Sequence, residues 1–327
     1  MGRSGSASRR GRPDLVSAPL RVLTWMPPDM TEHVGAVEGV ELIQIPPRGP
    51  LDDDLEGDVL LVGARSVPVM EQALRSGVRW IHIYGTGVDG FPIELLEDGQ
   101  LLTCSRGASG VPIAEWVLAT ILAFEKQLQE TLVSEPWDRR RAPGLGTLEG
   151  KTLGLVGLGG IGVALAERAQ PFGMRVLALR RHPRPSEVPG VEVASDLSEL
   201  LAEADHLVLA APATAATHHL IGRDALAQVK PGVHFVNVAR GTLVDDDALR
   251  DALDDGRVAL ASLDTTEPEP LPEGHWMYTH PGVRLTPHIS WSMPLARDLI
   301  VDVFVRNLRH YMAGEPLEGL VDVEEGY

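Results

Sequence analysis

A chain of 327 residues is longer than one ordinary hydrophobic core organises, which predicts about two domains. With 44% hydrophobic and 23% charged residues it has a globular composition, and its formal charge of −17 argues against nucleic acid or an anionic membrane as partner, since either needs a basic face. The single cysteine, Cys104, excludes an intrachain disulfide, and no apolar run is long enough to span a membrane, so a cytoplasmic setting is expected.

Residues 1–18 are rich in Ser, Gly and Arg, carry one acid (Asp14) and offer no helical apolar face. A disordered tail is expected there rather than a transit peptide. Short apolar runs at 21–26, 41–45, 59–63, 80–84 and 101–104 read as buried strands between turn signals, with a helical stretch at 67–76. The Arg-, Pro- and Gly-dense segment 135–150 reads as a connector. A second series follows, with strands at 153–156, 174–179, 206–210, 234–238, 258–263 and 283–285. Helices are expected at 161–172, at 197–204 (Asp196 capping, Glu199 three residues on) and at 245–255. A last helix at 298–312 is expected to cross back to the first domain. Buried strands alternating with helices make parallel sheets covered on both faces, a doubly wound α/β architecture.

The turn Gly157-Leu158-Gly159-Gly160-Ile161-Gly162 follows a strand and opens a helix. In that setting glycines let backbone N–H groups approach a pyrophosphate at the positive end of the helix. Dinucleotide sites that take NAD carry an acid at the end of the next strand, where it accepts from the ribose 2′-OH. Here Arg180 and Arg181 stand in that place, with His182 and Arg184 close behind. Guanidinium groups pair with a 2′-phosphate, so NADP(H) is favoured, with NAD(H) left open should this be a solvated basic loop.

Three further residues follow strands of the second series. Arg240 can hold a carboxylate through two parallel hydrogen bonds and polarise a neighbouring carbonyl. Glu269 (in Glu267-Pro268-Glu269-Pro270) and His288 (in Thr286-Pro287-His288) stand beside prolines that stiffen the backbone. A histidine buried against a carboxylate keeps one orientation and can exchange a proton with a substrate oxygen. Taken singly, each has a plain alternative: a surface salt bridge, a solvated acid, a hydrogen-bonded core histidine.

The run from Gly150-Lys151-Thr152-Leu153-Gly154 through the glycine turn, 236–241, Leu263-Asp264, 267–270 and 286–288 resembles the D-isomer-specific 2-hydroxyacid dehydrogenases, over about residues 55–315. The resemblance implies a catalytic set of Arg240, Glu269 and His288, with His288 as acid and base. Spacing fixes the glutamate, because the family's residue lies five beyond the aspartate: Asp264 leads to Glu269, not Glu267. It implies cofactor contacts at Gly157, Gly159, Gly160, Ile161, Gly162, Arg180, Arg181, Pro212, Val238, Ala239 and Asp264. The loop Tyr84-Gly85-Thr86-Gly87-Val88-Asp89 resembles the one whose N–H groups receive the substrate carboxylate, so Thr86, Gly87 and Val88 join Arg240 as substrate contacts. No metal is implied.

The fold that follows is a Rossmann cofactor domain at 116–295 and a flavodoxin-like substrate domain at 19–115 plus 296–327, joined as a homodimer through the cofactor domain. Helices 112–130 and 298–312 are expected to act as the hinge. Arg106 departs from the family's commoner Asn-Thr-Pro-Gly form, and Trp291 is either a substrate contact or a packing aromatic. The implied substrate is a small 2-oxo or 2-hydroxy acid. Phosphoglycerate is disfavoured, since no extra phosphate site is evident and no regulatory domain follows residue 327. An NAD(H)-sensing corepressor of the same fold is the alternative, and Glu269 counts against a formate dehydrogenase, where glutamine is expected.

Overall fold

Runs of Val, Leu and Ile too short for helices pair into two parallel sheets in the computed structural model, which describes residues 18–134, 136, 144–182, 184–293 and 296–327. The expected tail, apart from Ala18, and residues 135 and 137–143 of the expected connector lie outside the described residues. The first sheet contains β1 (Leu20–Thr24), β2 (Val40–Gln44), β3 (Val59–Val62), β4 (Trp80–Ile83) and β5 (Leu101–Cys104) in the order β2-β1-β3-β4-β5. Every residue of β3 and β4 is buried, whereas β2, at the edge, is not. This is the flavodoxin-type strand order.

The second sheet contains β6 (Thr152–Val156), β7 (Arg175–Leu179), β8 (Val191–Val193), β9 (His206–Leu209), β10 (Val233–Asn237), β11 (Val258–Leu263) and β12 (Val283–Leu285). Its order is β12-β11-β10-β9-β6-β7-β8. The winding reverses between β6 and β9, which opens a crevice beyond their C-terminal ends. The sequence does not announce β8, because three half-exposed edge residues lack a strand's apolar signature.

The helices are α1 (Pro28–Gly35), α2 (Met70–Leu74), α3 (Gly110–Glu125), α4 (Gly160–Ala169), α5 (Leu197–Glu203), α6 (Arg223–Leu226), α7 (Asp246–Asp254) and α8 (Ala296–Ala313). The pattern at 67–76 overstates α2, a helix of only five residues. At α5 the expected cap forms: Asp196 accepts from the Glu199 N–H at 2.9 Å, and Glu199 reaches back to the Ser195 N–H at 2.7 Å.

Two helices tie the sheets together. The apolar face of α8 (Val301, Phe304, Val305, Leu308) packs on Val22, Val59, Leu61 and Trp80 of the first sheet. Trp80 is fully buried, its ring 5.3 Å from Phe304 and 5.2 Å from Tyr311, and its indole N–H donates to Thr103 Oγ1 at 2.8 Å. Truncating such an aromatic costs about 3–5 kcal/mol. Helix α3 starts just after β5, yet Ile113, Ala114, Val117 and Ile121 pack into the core of the second sheet with Leu153, Leu165 and Val236. At its far end Glu125 is buried against Lys151 (2.6 Å) and His206 (3.2 Å). Burial alone would raise Glu125, but hydrogen bonds from His206 and Lys151 outweigh it and hold its carboxyl below the usual range.

Candidate active site

The register of the second sheet explains why residues far apart in sequence meet. Asn237 of β10 lies beside Leu263 of β11, and Leu263 beside Leu285 of β12. Arg240, Asp264 with Glu269, and His288 therefore leave the C-terminal ends of three adjacent strands.

Glu269 and His288 form a direct pair, Nδ1 to Oε1 at 2.7 Å. A carboxylate only accepts, so Nδ1 carries the hydrogen and Nε2 is the nitrogen turned to other chemistry. The pair is not buried as expected: the two side chains are 37% and 35% exposed, because both sit on loops at the crevice mouth. The backbone of His288 adopts φ +54°, a left-handed conformation that a non-glycine residue holds only when its surroundings dictate it.

Asp264 supplies that constraint. It is 1% exposed; its Oδ1 accepts from Thr286 Oγ1 (2.5 Å) and the Ile289 N–H (2.9 Å), and its Oδ2 from the Ser290 N–H (2.9 Å). Both carboxylate oxygens thus hold the loop that presents His288. Trp291 turns its indole N–H back onto the His288 carbonyl at 2.9 Å.

Arg240 is set by a tight turn that buried Asn237 builds, accepting from the Ala239 N–H (3.0 Å) and donating to the Arg240 carbonyl (2.8 Å). Gly241 then lies against the backbone of Thr266 and Glu267, with no room for a Cβ, which locks this turn to the loop of Glu269. The guanidinium crosses to the other domain. Its Nε donates to both oxygens of Asp89 at 3.1 Å, and its Nη2 also lies 3.1 Å from Oδ1. A Cβ on Gly87 would fall on Nη2. Among the described residues, the backbone N–H groups of Thr86, Gly87 and Val88 donate to no protein acceptor, although Ser105 donates to the Gly85 carbonyl at 2.9 Å. A row of open N–H donors beside a guanidinium has the chemistry to receive a carboxylate. The sequence pattern gave no role to Asp89 or Asn237. The first pairs across 151 residues and the second acts only through the turn geometry.

The glycine turn fits a dinucleotide pyrophosphate. Gly157 has φ +104°, and a Cβ there would stand 2.7 Å from the Ala210 carbonyl oxygen; one on Gly162 would press on the Gly157 carbonyl. Around Gly159 there is open space, and α4 begins with no side-chain cap, so its first N–H groups keep their donors for a ligand. Pro212, after β9, is exposed, whereas Val238 and Ala239, after β10, are buried beside the crevice.

Beyond β7, the Arg180 guanidinium donates to the Pro185 carbonyl and to Glu187, each at 3.2 Å. Arg181 lies 3.2 Å from Glu325 and 5.5 Å from the ring centroid of Tyr327. Both arginines therefore have acidic partners that the sequence did not reveal. Among the described residues one exposed group, His218, His219 and Glu267, has a metal-type donor set with ligand atoms within 4.8 Å of each other.

Residues 117–290 match the family profile described as "D-isomer specific 2-hydroxyacid dehydrogenase, NAD binding domain". The chain is 34% identical to a glyoxylate reductase of Thermofilum pendens over 275 residues, 81% of this chain and 80% of that protein. It is 35% identical to a D-3-phosphoglycerate dehydrogenase of Methanocaldococcus jannaschii over 246 residues, 73% of this chain but only 46% of that longer protein. Among solved structures it resembles the NADPH-dependent glyoxylate/hydroxypyruvate reductase of Sinorhizobium meliloti, determined with NADP and sulfate. There the TM-score is 0.80 at 27% identity, covering 95% of this chain and all of the other.

Proposed function

Because the chain belongs to the D-isomer specific 2-hydroxyacid dehydrogenase family, we propose that it interconverts a small 2-oxo acid and its 2-hydroxy acid, with Arg240, Glu269 and His288 as its catalytic set. The observation that carries this reading is the 2.7 Å His288–Glu269 pair, presented at the same sheet edge as Arg240. When bound, the nicotinamide supplies or accepts the hydride. The N–H groups of Thr86, Gly87 and Val88 receive the substrate carboxylate, and Arg240 closes on it from the other side. Arg240 and the His288 imidazolium draw negative charge onto the 2-oxo oxygen. His288 delivers the proton from Nε2 while Glu269, at Nδ1, keeps the ring oriented.

Gly157, Gly159, Gly160, Ile161 and Gly162 would hold the pyrophosphate, with Pro212, Val238 and Ala239 along the crevice and Asp264 beside the nicotinamide. Arg180 and Arg181 support NADP(H), in keeping with the NADP bound by the Sinorhizobium reductase. Glyoxylate or hydroxypyruvate is the substrate class that the reductase relatives suggest. The exposed apolar side chains Leu128, Leu132 and Val133 just after α3 support a homodimer through the cofactor domain.

The test is the decay of nicotinamide absorbance with glyoxylate, hydroxypyruvate, pyruvate and phenylpyruvate, each with NADPH and NADH, for the wild type beside His288→Ala. Turnover that vanishes in the variant supports the reading. Tight nucleotide binding without turnover on any acid would replace it with a nicotinamide-sensing corepressor.

A further inference from the structure

The end of β7 is where a dinucleotide site distinguishes a ribose 2′-OH from a 2′-phosphate. The acid that marks NAD-binding sites is absent from that strand, where Arg180 and Arg181 stand instead. An acid from elsewhere in the chain nevertheless pairs with the second of them. Glu325 Oε2 lies 3.2 Å from Arg181 Nη1 and 3.5 Å from His182 Nε2.

Glu325 reaches this position from the other domain. Residues just before it are sewn to the first sheet: Val321 is buried in that core, its N–H donates to the Leu102 carbonyl at 2.9 Å, and Cys104 N–H donates to the Gly319 carbonyl at 3.0 Å. The following turn closes on itself. Asp322 Oδ1 accepts from the Glu324 and Glu325 N–H groups at 3.0 Å, and the Tyr327 carbonyl accepts from the Asp322 N–H at 3.0 Å. The Tyr327 ring then sits between two guanidiniums, 5.5 Å from Arg181 of the second domain and 5.9 Å from Arg106 of the first. A closed turn on one domain thus carries a carboxylate onto Arg181 and His182 of the other.

We propose that Glu325 is a cofactor-specificity residue: from the substrate domain it sets a carboxylate on Arg181, as Glu187 does on Arg180, and so biases the site toward NADH against the pull of the arginines for NADPH. A 2′-phosphate would have to displace Glu325 from Arg181 and stand beside a like charge. A ribose 2′-OH can instead donate to the same carboxylate. Arg181 and His182 are thereby a phosphate site under the control of Glu325, and Tyr327 positions that acid by stacking across the domain gap. The inference rests on the nicotinamide reading above.

The experiment measures dissociation constants of NADPH and NADH, by quenching of protein fluorescence, for the wild type, Glu325→Gln and Tyr327→Ala. Melting curves verify the fold, which these surface substitutions leave intact. Glu325→Gln is expected to tighten NADPH by about five- to tenfold while NADH stays within about twofold or weakens. Tyr327→Ala is expected to shift the ratio in the same direction by less, with high salt shrinking both effects. A ratio unchanged in Glu325→Gln, with both nucleotides still bound, overturns the inference and leaves the proposed reaction standing. If wild type binds neither nucleotide, both fall together.

Discussion

Nδ1 of His288 meets Oε1 of Glu269 at 2.7 Å, which leaves Nε2 as the ring nitrogen able to exchange a proton with a substrate. Glu269→Gln keeps the size of the partner but replaces the carboxylate that accepts from Nδ1–H with an amide, so the ring is held less firmly. We expect kcat to fall about 10²-fold with KM changed little, and His288→Ala to lose about 10³-fold or more. Steady-state kinetics of the two variants with the best 2-oxo acid decide this, and a Glu269→Gln variant of wild-type kcat would remove the glutamate from the reaction.

Asp264 fixes the conformation in which His288 is offered. Its two oxygens accept from Thr286, Ile289 and Ser290, and Asp264→Asn replaces one acceptor with an amide that faces those donors. Stability should drop by about 1–3 kcal/mol in urea unfolding, and kcat should fall at least about tenfold as the left-handed residue relaxes. Full activity in a destabilised Asp264→Asn protein would separate the loop's order from catalysis.

Gly87 leaves the space that the Arg240 guanidinium fills. In Gly87→Ala the added methyl displaces Nη2 from Asp89 and from the open N–H row. A shift of that size in a positioned group costs about 10²-fold in kcat/KM, while nucleotide affinity, set elsewhere, is expected to hold. Titration of nucleotide beside the kinetics distinguishes this from general damage.

Gly157 combines φ +104° with a backbone contact that excludes a Cβ. Gly157→Ala should weaken both nicotinamide nucleotides together, by about tenfold or more, because the turn must move away from β9. Unaltered dissociation constants would show that the pyrophosphate does not lie on this turn.

His82 is fully buried in β4, its ring nitrogens 2.7 Å from Thr103 Oγ1 and 3.1 Å from Ser105 Oγ. Burial lowers its pKa from 6.5 to about 3. Above pH 6.5 both folded and unfolded chains hold it neutral; below, only the unfolded chain takes up the proton. Its stabilising contribution is therefore complete above pH 6.5 and is lost as pH falls toward 3, by about 1.4 kcal/mol per pH unit. His234 is lowered in the same direction, first by burial and then by His206. Urea unfolding across this range should show a shallower slope for His82→Gln than for wild type, whatever its stability at neutral pH.

Much of this protein could be read without coordinates. Buried strands of the 258–263 kind and a glycine turn between strand and helix are local patterns, and a parallel sheet forces its strands to be apolar throughout. The Asp196 cap was legible for the same reason, since its partner stands three residues away. Marginal elements escaped: β8 is a three-residue edge, and α6 is a single turn whose burial depends on α7 beside it. Arg240, Glu269 and His288 could be singled out as candidates because each follows a strand, a position that faces the crevice in any doubly wound sheet.

What only the tertiary structure decided is which charges meet. Asp89 with Arg240, Glu325 with Arg181 and Asp264 with the His288 loop join parts of the chain that share no periodicity, and a carboxylate's partner is set by distance in space. The two basic residues at the end of β7 read from sequence as an open phosphate site. Folding places a carboxylate from another domain on Arg181, because the sheet order, and not the order of residues, determines what stands within reach of a charge.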